Sequence, residues 1–239
     1  MVDLAESNCQ RLKSSKYPGR GIIMGLSPSA QYVIQFYWTM GRSAASQNRR
    51  LILNDHIAKT VKTDVESEMK NQNLLLYNAT AIFKNTHIVS NGEQTDTIYD
   101  YVKRGKTFEE ALSQWQHEDD PPINSPRISG MVDLSDNGRM TYKFGIIAPV
   151  GDQKGHSSYH ISSYNDLPPG YGLCIHTYDL NDLCMPFMSR PYTVIMFNKI
   201  DEMAEYYWSL ISNEYRVGLY GKFIDISTRE IQEKVINSR

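Results

Sequence analysis

Cysteine is scarce in this 239-residue chain, and Cys9, Cys174 and Cys184 show no CxxC spacing. An odd count without that spacing argues against a disulfide framework and a zinc site, and predicts reduced thiols in a cytoplasmic protein. Long apolar runs are missing too. The longest, such as residues 192–197, are strand-sized, far below the roughly 18–20 residues a membrane helix needs. The opening Met1-Val2-Asp3-Leu4-Ala5-Glu6-Ser7 carries acidic residues and no apolar core, unlike a secretory signal.

Charge of one sign is not in excess: 25 basic against 27 acidic residues leave a formal net charge of −2. No global field draws in nucleic acid or an anionic membrane, so neither is expected as a partner. Any anion must be met by a local arginine cluster. The common catalytic signatures, the Walker loop, GxGxxG, GxSxG and HExxH, do not occur. His156 and His160 stand four apart, but the Ser157-Ser158-Tyr159 spacer and nearby glycines favour a solvated loop over a pair of metal ligands. Asp179-Leu180-Asn181-Asp182 lacks the glycine and distal glutamate of an EF-hand loop. No metal is expected.

What is present reads as a globular chain, with 41% hydrophobic and 22% charged residues. Residues 21–26 and 32–40 are apolar runs separated by Ser27-Pro28-Ser29, which predicts a hairpin. Residues 74–83 and 87–89 read as strands around a turn at Lys84-Asn85, and 128–134 and 140–150 flank Ser135-Asp136-Asn137-Gly138, a strong hairpin signal. Residues 161–164, 173–178, 192–197 and 217–226 supply further strands. Helices are expected over 97–104 and over 108–116, the latter opened by a Thr107/Glu110 capping box. The clearest amphipathic helix is 201–212, with Asp201 as N-cap and Met203, Tyr207, Leu210 and Ile211 inward. Ser227 and Glu230 suggest a capped C-terminal helix, and residues 151–172, rich in Gly, Ser, Pro and Tyr, read as a long loop or lid. Many hairpin strands and few helices, grouped rather than alternating, favour an α+β fold of mostly antiparallel sheets covered by helices. One domain over residues 1–239 is expected, since no linker stands out.

Polar density is high where core packing does not require it. Residues 41–50, Gly-Arg-Ser-Ala-Ala-Ser-Gln-Asn-Arg-Arg, place three guanidiniums and several small donors just after an apolar strand. Such forks match phosphate oxygens, and small residues let backbone amides approach an anion. Residues 91–97 join a turn dipeptide to a helix start, where an anion or a polar ring edge can be held. Asn124-Ser125-Pro126-Arg127 follows the acidic turn Glu118-Asp119-Asp120-Pro121-Pro122. Read singly, the first stretch is more readily a solvated basic loop and the second a capped turn.

Their order along the chain is more informative. Tyr17-Pro18-Gly19-Arg20-Gly21, Gly41-Arg42-Ser43 with Asn48-Arg49, Tyr77-Asn78, Val89-Ser90-Asn91-Gly92 with Thr95-Asp96-Thr97-Ile98, and Pro126-Arg127-Ile128 succeed one another as they do in the archaeal-type IMP cyclohydrolase family and its bacterial relatives, which this chain resembles. The clearest match spans roughly residues 17–134, while Ile175-His176-Thr177-Tyr178 and the Tyr206-Tyr207-Trp208 segment resemble the longer bacterial members. The resemblance implies a four-layer αββα sandwich like that of N-terminal nucleophile hydrolases, without their mechanism. It implies ring closure of 5-formamidoimidazole-4-carboxamide ribonucleotide to IMP with loss of water, a nucleotide as small-molecule partner and no cofactor. By position, Tyr77 and Glu118 become candidates for proton transfer, with Arg42 as the third catalytic candidate. Arg20 and Arg49 become candidates to hold phosphate or carboxamide, Asn91, Thr95 and Asp96 to position base or ribose, and Arg127 to orient Glu118 or meet substrate. Another amide or formyl hydrolysis on the same fold, or a binding protein without turnover, is compatible with the same residues. Homo-oligomerisation is left open.

Overall fold

Strands that are apolar on both faces need cover on both, and the central strands of this chain find it between a second sheet and a layer of helices. The computed structural model describes residues 2–67, 72–134, 139–151, 155–180 and 185–238. In chain order the elements are α1 (Val2–Ser14), β1 (Gly21–Leu26), β2 (Tyr32–Met40), α2 (Ala44–Gln47), β3 (Arg49–Asn54), β4 (Ile57–Lys62), α3 (Gln72–Leu75), β5 (Thr80–Phe83), β6 (Thr86–Ser90), α4 (Gln94–Lys103), α5 (Phe108–Leu112), β7 (Arg127–Asp133), β8 (Thr141–Pro149), β9 (Ser157–Asn165), β10 (Tyr171–His176), β11 (Tyr192–Ile195), α6 (Ile200–Leu210), β12 (Arg216–Asp225) and β13 (Ile231–Asn237).

Six strands form one antiparallel sheet in the order β11-β10-β1-β2-β12-β13, five form another in the order β5-β6-β7-β8-β9, and β3 pairs with β4 as a separate hairpin. Period-two alternation divides the side chains of the large sheets. Ile22 and Met24 of β1, Val33 and Tyr37 of β2 and Tyr220 of β12 meet Val89 of β6, Ile128 and Val132 of β7 and Phe144 of β8 in one shared core. The opposite face of the six-stranded sheet, Ile34, Phe36 and Trp38 with Leu219 and Phe223, packs on Cys9 and Leu12 of α1 and on Met203 and Tyr207 of α6. The outer face of the five-stranded sheet, Ile88, Met131 and Ile147, is covered by Ile98 of α4 and by Phe108, Ala111 and Leu112 of α5. Each such fully buried large side chain contributes about 1.5–3 kcal/mol. No helix among the described residues is long and apolar enough to cross a membrane.

The first hairpin forms as the sequence predicts, with Gly21 opposite Trp38. A Cβ on Gly21 would lie 1.9 Å from the Trp38 ring, so the glycine is what lets the tryptophan lie flat across β1. The Thr107 capping box is present, yet α5 ends at Leu112, short of the expected 116. Helix α4 begins at Gln94, three residues before the predicted start.

Other expectations are corrected. Residues 74–83 are not one strand: Leu74 and Leu75 belong to the short α3, and β5 begins only at Thr80, because Thr60 hydroxyl bonds to the Leu75 carbonyl and the Tyr77 amide hold the intervening chain across β4. The span 151–172 contains β9, paired along its length with β8 and carrying His160. Among the described residues no helix follows Ser227. Asp225 accepts from the Ser227 and Thr228 amides, and this turn feeds β13 back antiparallel to β12. Helix α6 is capped at Lys199 without a side-chain bond, while Asp201 sits in its first turn and pairs with Lys234 at 2.7 Å. The turn at residues 135–138, Asn181, Asp182 and Cys184 lie outside the described residues.

Candidate active site

The beginnings of β1 and β7 and the ends of β2, β6 and β10 lie at one end of the paired sheets. Loops emerging there enclose a cleft of about 330 Å³, near the lower end of the range for small-ligand sites. Its wall includes Tyr17, Arg20, Arg42, Ser43, Ser46, Arg49, Glu118, Asp120, Ser125 and Tyr178. A larger depression, about 880 Å³, opens beside Gln116 and His156. Its described lining has no arginine or carboxylate, whereas the smaller cleft gathers three arginines and two carboxylates on its described wall.

At the buried side of the cleft the Arg20 guanidinium pairs directly with the Glu118 carboxylate. Both are almost wholly shielded from solvent. Burial opposes the Arg20 charge, but Glu118, with the phenols of Tyr178 and Tyr77, outweighs it and holds the cation well above its ordinary range. Burial pushes the Glu118 carboxyl up, with Arg20 and Arg127 pulling the other way. The neighbouring Asp120 also pushes upward but less than burial does, so desolvation, rather than the adjoining acidic run, is the main cause. Arg20 Nε is buried and has no hydrogen-bond partner among the described residues.

Toward solvent, the half-buried Arg42 lies over the Tyr17 ring at 4.6 Å and the Tyr178 ring at 5.6 Å, with the two rings stacked 5.8 Å apart. Such cation–π contacts help to fix a guanidinium, and Arg42 also makes a side-chain hydrogen bond to Tyr17. Gly19 supports the stack from beneath. Its φ is +76° and a Cβ there would lie 2.7 Å from the Tyr178 ring.

The remaining predicted residues divide by environment. Arg49 lines the cleft but is bonded to Ser46 O, Leu75 O, Thr39 Oγ1 and Met40 O, which makes it a pin for the surrounding loops. Asn91 brackets the two strand ends, accepting from the Ile128 amide at 2.8 Å and donating to Pro126 O at 3.1 Å and Glu118 Oε1 at 3.4 Å. Arg127 turns to Gln116 O, Gln94 Oε1 and the Trp115 ring. Tyr77 places its hydroxyl 2.6 Å from that of Tyr37 and is not on the cleft wall. Thr95 bonds to Ser90 and Gly92 O, and the exposed Asp96 accepts from Asn78 at 3.0 Å. Neither reaches the cleft wall.

A family profile described as IMP cyclohydrolase-like protein matches residues 17–229. The chain belongs to this IMP cyclohydrolase-like family. The match contains every cleft residue named above, and leaves α1 outside it. No curated protein matches the chain.

Sequence reasoning did not single out Tyr178, Ser125 and Asp120, which also line the cleft. Tyr178 is far from Tyr17 in the chain and reaches it only because β1 pairs with β10. The available signal was weak: Ser125 sits inside the Asn-Ser-Pro-Arg stretch, and a tyrosine closes Ile-His-Thr-Tyr.

Proposed function

We propose that this chain is an IMP cyclohydrolase, closing the purine ring of 5-formamidoimidazole-4-carboxamide ribonucleotide to IMP with loss of water. The observation that carries the reading is the buried Arg20 Nε, a donor without a partner among the described residues, beside the Arg20–Glu118 pair. A buried donor left unmade costs about 1–3 kcal/mol, and a substrate oxygen would satisfy it.

In the reaction the carboxamide nitrogen attacks the formyl carbon, and that carbon's oxygen leaves as water with one proton from each nitrogen. Both groups are borne on adjacent ring atoms, so holding them in register supplies much of the acceleration. Arg20 meets the formyl oxygen as negative charge builds on it. The Glu118 carboxylate, paired with Arg20, takes the proton of the formamido nitrogen and hands it to that oxygen. Arg42, the cleft guanidinium nearest solvent, takes the 5′-phosphate.

The same reading extends to the fold. The helix, sheet, sheet, helix order of the three cores supports a four-layer αββα sandwich resembling N-terminal nucleophile hydrolases. Cys9 is wholly buried within α1 and absent from the cleft wall, which fits a fold shared without its nucleophile. The reaction belongs in the cytoplasm, where the free thiols of Cys9 and Cys174 persist.

The test is ultraviolet absorbance after adding the formamido nucleotide to the purified chain. Conversion to IMP well above the uncatalysed rate is expected, and Glu118→Gln should lower kcat on the order of 10²–10⁴-fold. No conversion by the wild-type chain would sink the proposal. Full activity in Glu118→Gln would remove that carboxyl from the chemistry.

A further inference from the structure

Resting on the cyclohydrolase reading, we propose that Tyr178, backed by Ser125 and Asp120, is the proton acceptor for the attacking nitrogen. The three side chains form one hydrogen-bonded file along the cleft wall. Tyr178 Oη lies 2.5 Å from Ser125 Oγ, and Ser125 Oγ donates to Asp120 Oδ2 at 2.6 Å. The other carboxylate oxygen, Oδ1, accepts from the Ser125 amide at 2.6 Å.

The polarity of this file follows from its last member. An ionised carboxylate only accepts, so the Ser125 hydroxyl must spend its proton on Asp120. Ser125 Oγ can then only accept from Tyr178, and the phenol proton points away from the cleft. The Tyr178 oxygen is left as an acceptor, matched to a substrate N–H rather than to a carbonyl or carboxylate oxygen. An amide that presents N–H is therefore preferred over an acid of the same shape.

The same alignment moves a proton. As the C–N bond forms, the nitrogen's proton passes to Tyr178 Oη. The tyrosine's own proton passes to Ser125 Oγ, and the serine's passes to Asp120 Oδ2. Asp120 ends as the neutral acid and, being half-exposed, returns the proton to water. Burial pushes the Tyr178 phenol up to about 12 with Arg20 pulling against it, so the Arg20 charge steadies the transient negative charge on that oxygen. Glu118 remains the donor to the departing oxygen, so the two arms of the reaction fall on opposite ends of one loop, closed by the Glu118 amide on Ser125 O at 2.8 Å.

Asp120→Asn is the sharpest test because it keeps the shape and reverses the polarity. The asparagine oxygen must still serve the Ser125 amide, so its NH2 faces Ser125 Oγ and donates. The file then runs the other way and Tyr178 becomes a donor to the cleft. Initial rates with the formamido nucleotide, thermal unfolding and calorimetric IMP binding are measured for Asp120→Asn, Ser125→Ala and Tyr178→Phe. Expected is a fall in kcat on the order of 10²-fold or more in each, with unfolding midpoint and IMP affinity of the folded variants close to wild type. Folded Asp120→Asn and Tyr178→Phe with kcat within threefold of wild type would overturn the relay while leaving the cyclohydrolase reading intact. Should one variant not fold, the other two decide. A wild-type chain that leaves the nucleotide unconverted overturns the function itself, and this proposal with it.

Discussion

Lys222 offers a quantitative check on the interior of the molecule. It lies on the inner face of β12, wholly buried, with Gln35 of β2 and Glu233 of β13 directly opposite in register. Its Nζ is 3.5 Å from His87 Nδ1 on the facing sheet. Glu233 is shared with the Tyr220 hydroxyl and with His56 Nδ1. Burial pushes Lys222 down from 10.5 to about 8, with Glu233 only partly opposing. Burial, with Lys222, Arg229 and His56 adding to it, drives His87 down to about 2, so the imidazole stays neutral and accepts from the lysine. At about 1.36 kcal/mol per pH decade, the lysine shift corresponds to about 3 kcal/mol of burial penalty.

The sign is set by which state holds more protons. Between pH 8 and 10.5 the unfolded chain binds the lysine proton and the folded chain releases it, so stability rises with pH across that window. Below pH 8 both states are protonated and the whole penalty applies. Lys222→Met removes it at similar volume, offset by about 1–3 kcal/mol for the donor lost to His87. The net gain at pH 7 is therefore small, and the pH dependence is what discriminates. Urea unfolding of both proteins should show the variant's advantage shrinking by about 2–3 kcal/mol between pH 7 and 10. A difference between the two proteins that stays constant over that range would refute a depressed Lys222.

Two further outcomes are expected at the cleft. Arg42→Ala should raise KM about ten- to hundredfold, the loss of one charge-assisted contact, and leave kcat within a few-fold, because the arginine binds ground and transition states alike; steady-state kinetics decide it, and a fall confined to kcat would contradict a phosphate role. Gly19→Ala places a methyl 2.7 Å from the Tyr178 ring at a φ of +76°, so it should lower both the unfolding midpoint and nucleotide affinity, and calorimetry showing wild-type affinity would mean the aromatic stack does not shape the site.

Much of the fold was legible because its central strands declare themselves. Glycine, proline and serine bound the apolar runs of β1 and β2, and the capping box of α5 is a local signal that needs no tertiary information. The errors share a cause. Ser227 and Glu230 have the spacing of a helix start, but the edge of β12 offered a full ladder to the following residues and tertiary pairing overrode the local preference. Helix α1 has ordinary propensity, and it is held by Cys9 and Leu12 docking against β2 and α6. For the site, residue type exposed the arginines but not their state. Nothing local distinguishes Arg49, consumed by four backbone and side-chain acceptors, from Arg20, which keeps a buried donor unpaired.

That contrast also orders the energetics of the cleft. A buried ion pair is weak support for stability, since desolvating two charges about cancels their attraction. Arg20 and Glu118 are thus poorly explained as a structural brace, all the more with Nε left unsatisfied. The surrounding groups show what a brace looks like here: Asn91 and Arg49 direct their hydrogen bonds to backbone atoms that close the loops. Those closures hold the charged pair in place without neutralising it. A fold that spends well-satisfied polar groups to keep an under-satisfied pair at the wall of a cleft has the distribution expected of a preorganised electrostatic site, and the proposed substrate would supply the partner that Arg20 Nε lacks among the described residues.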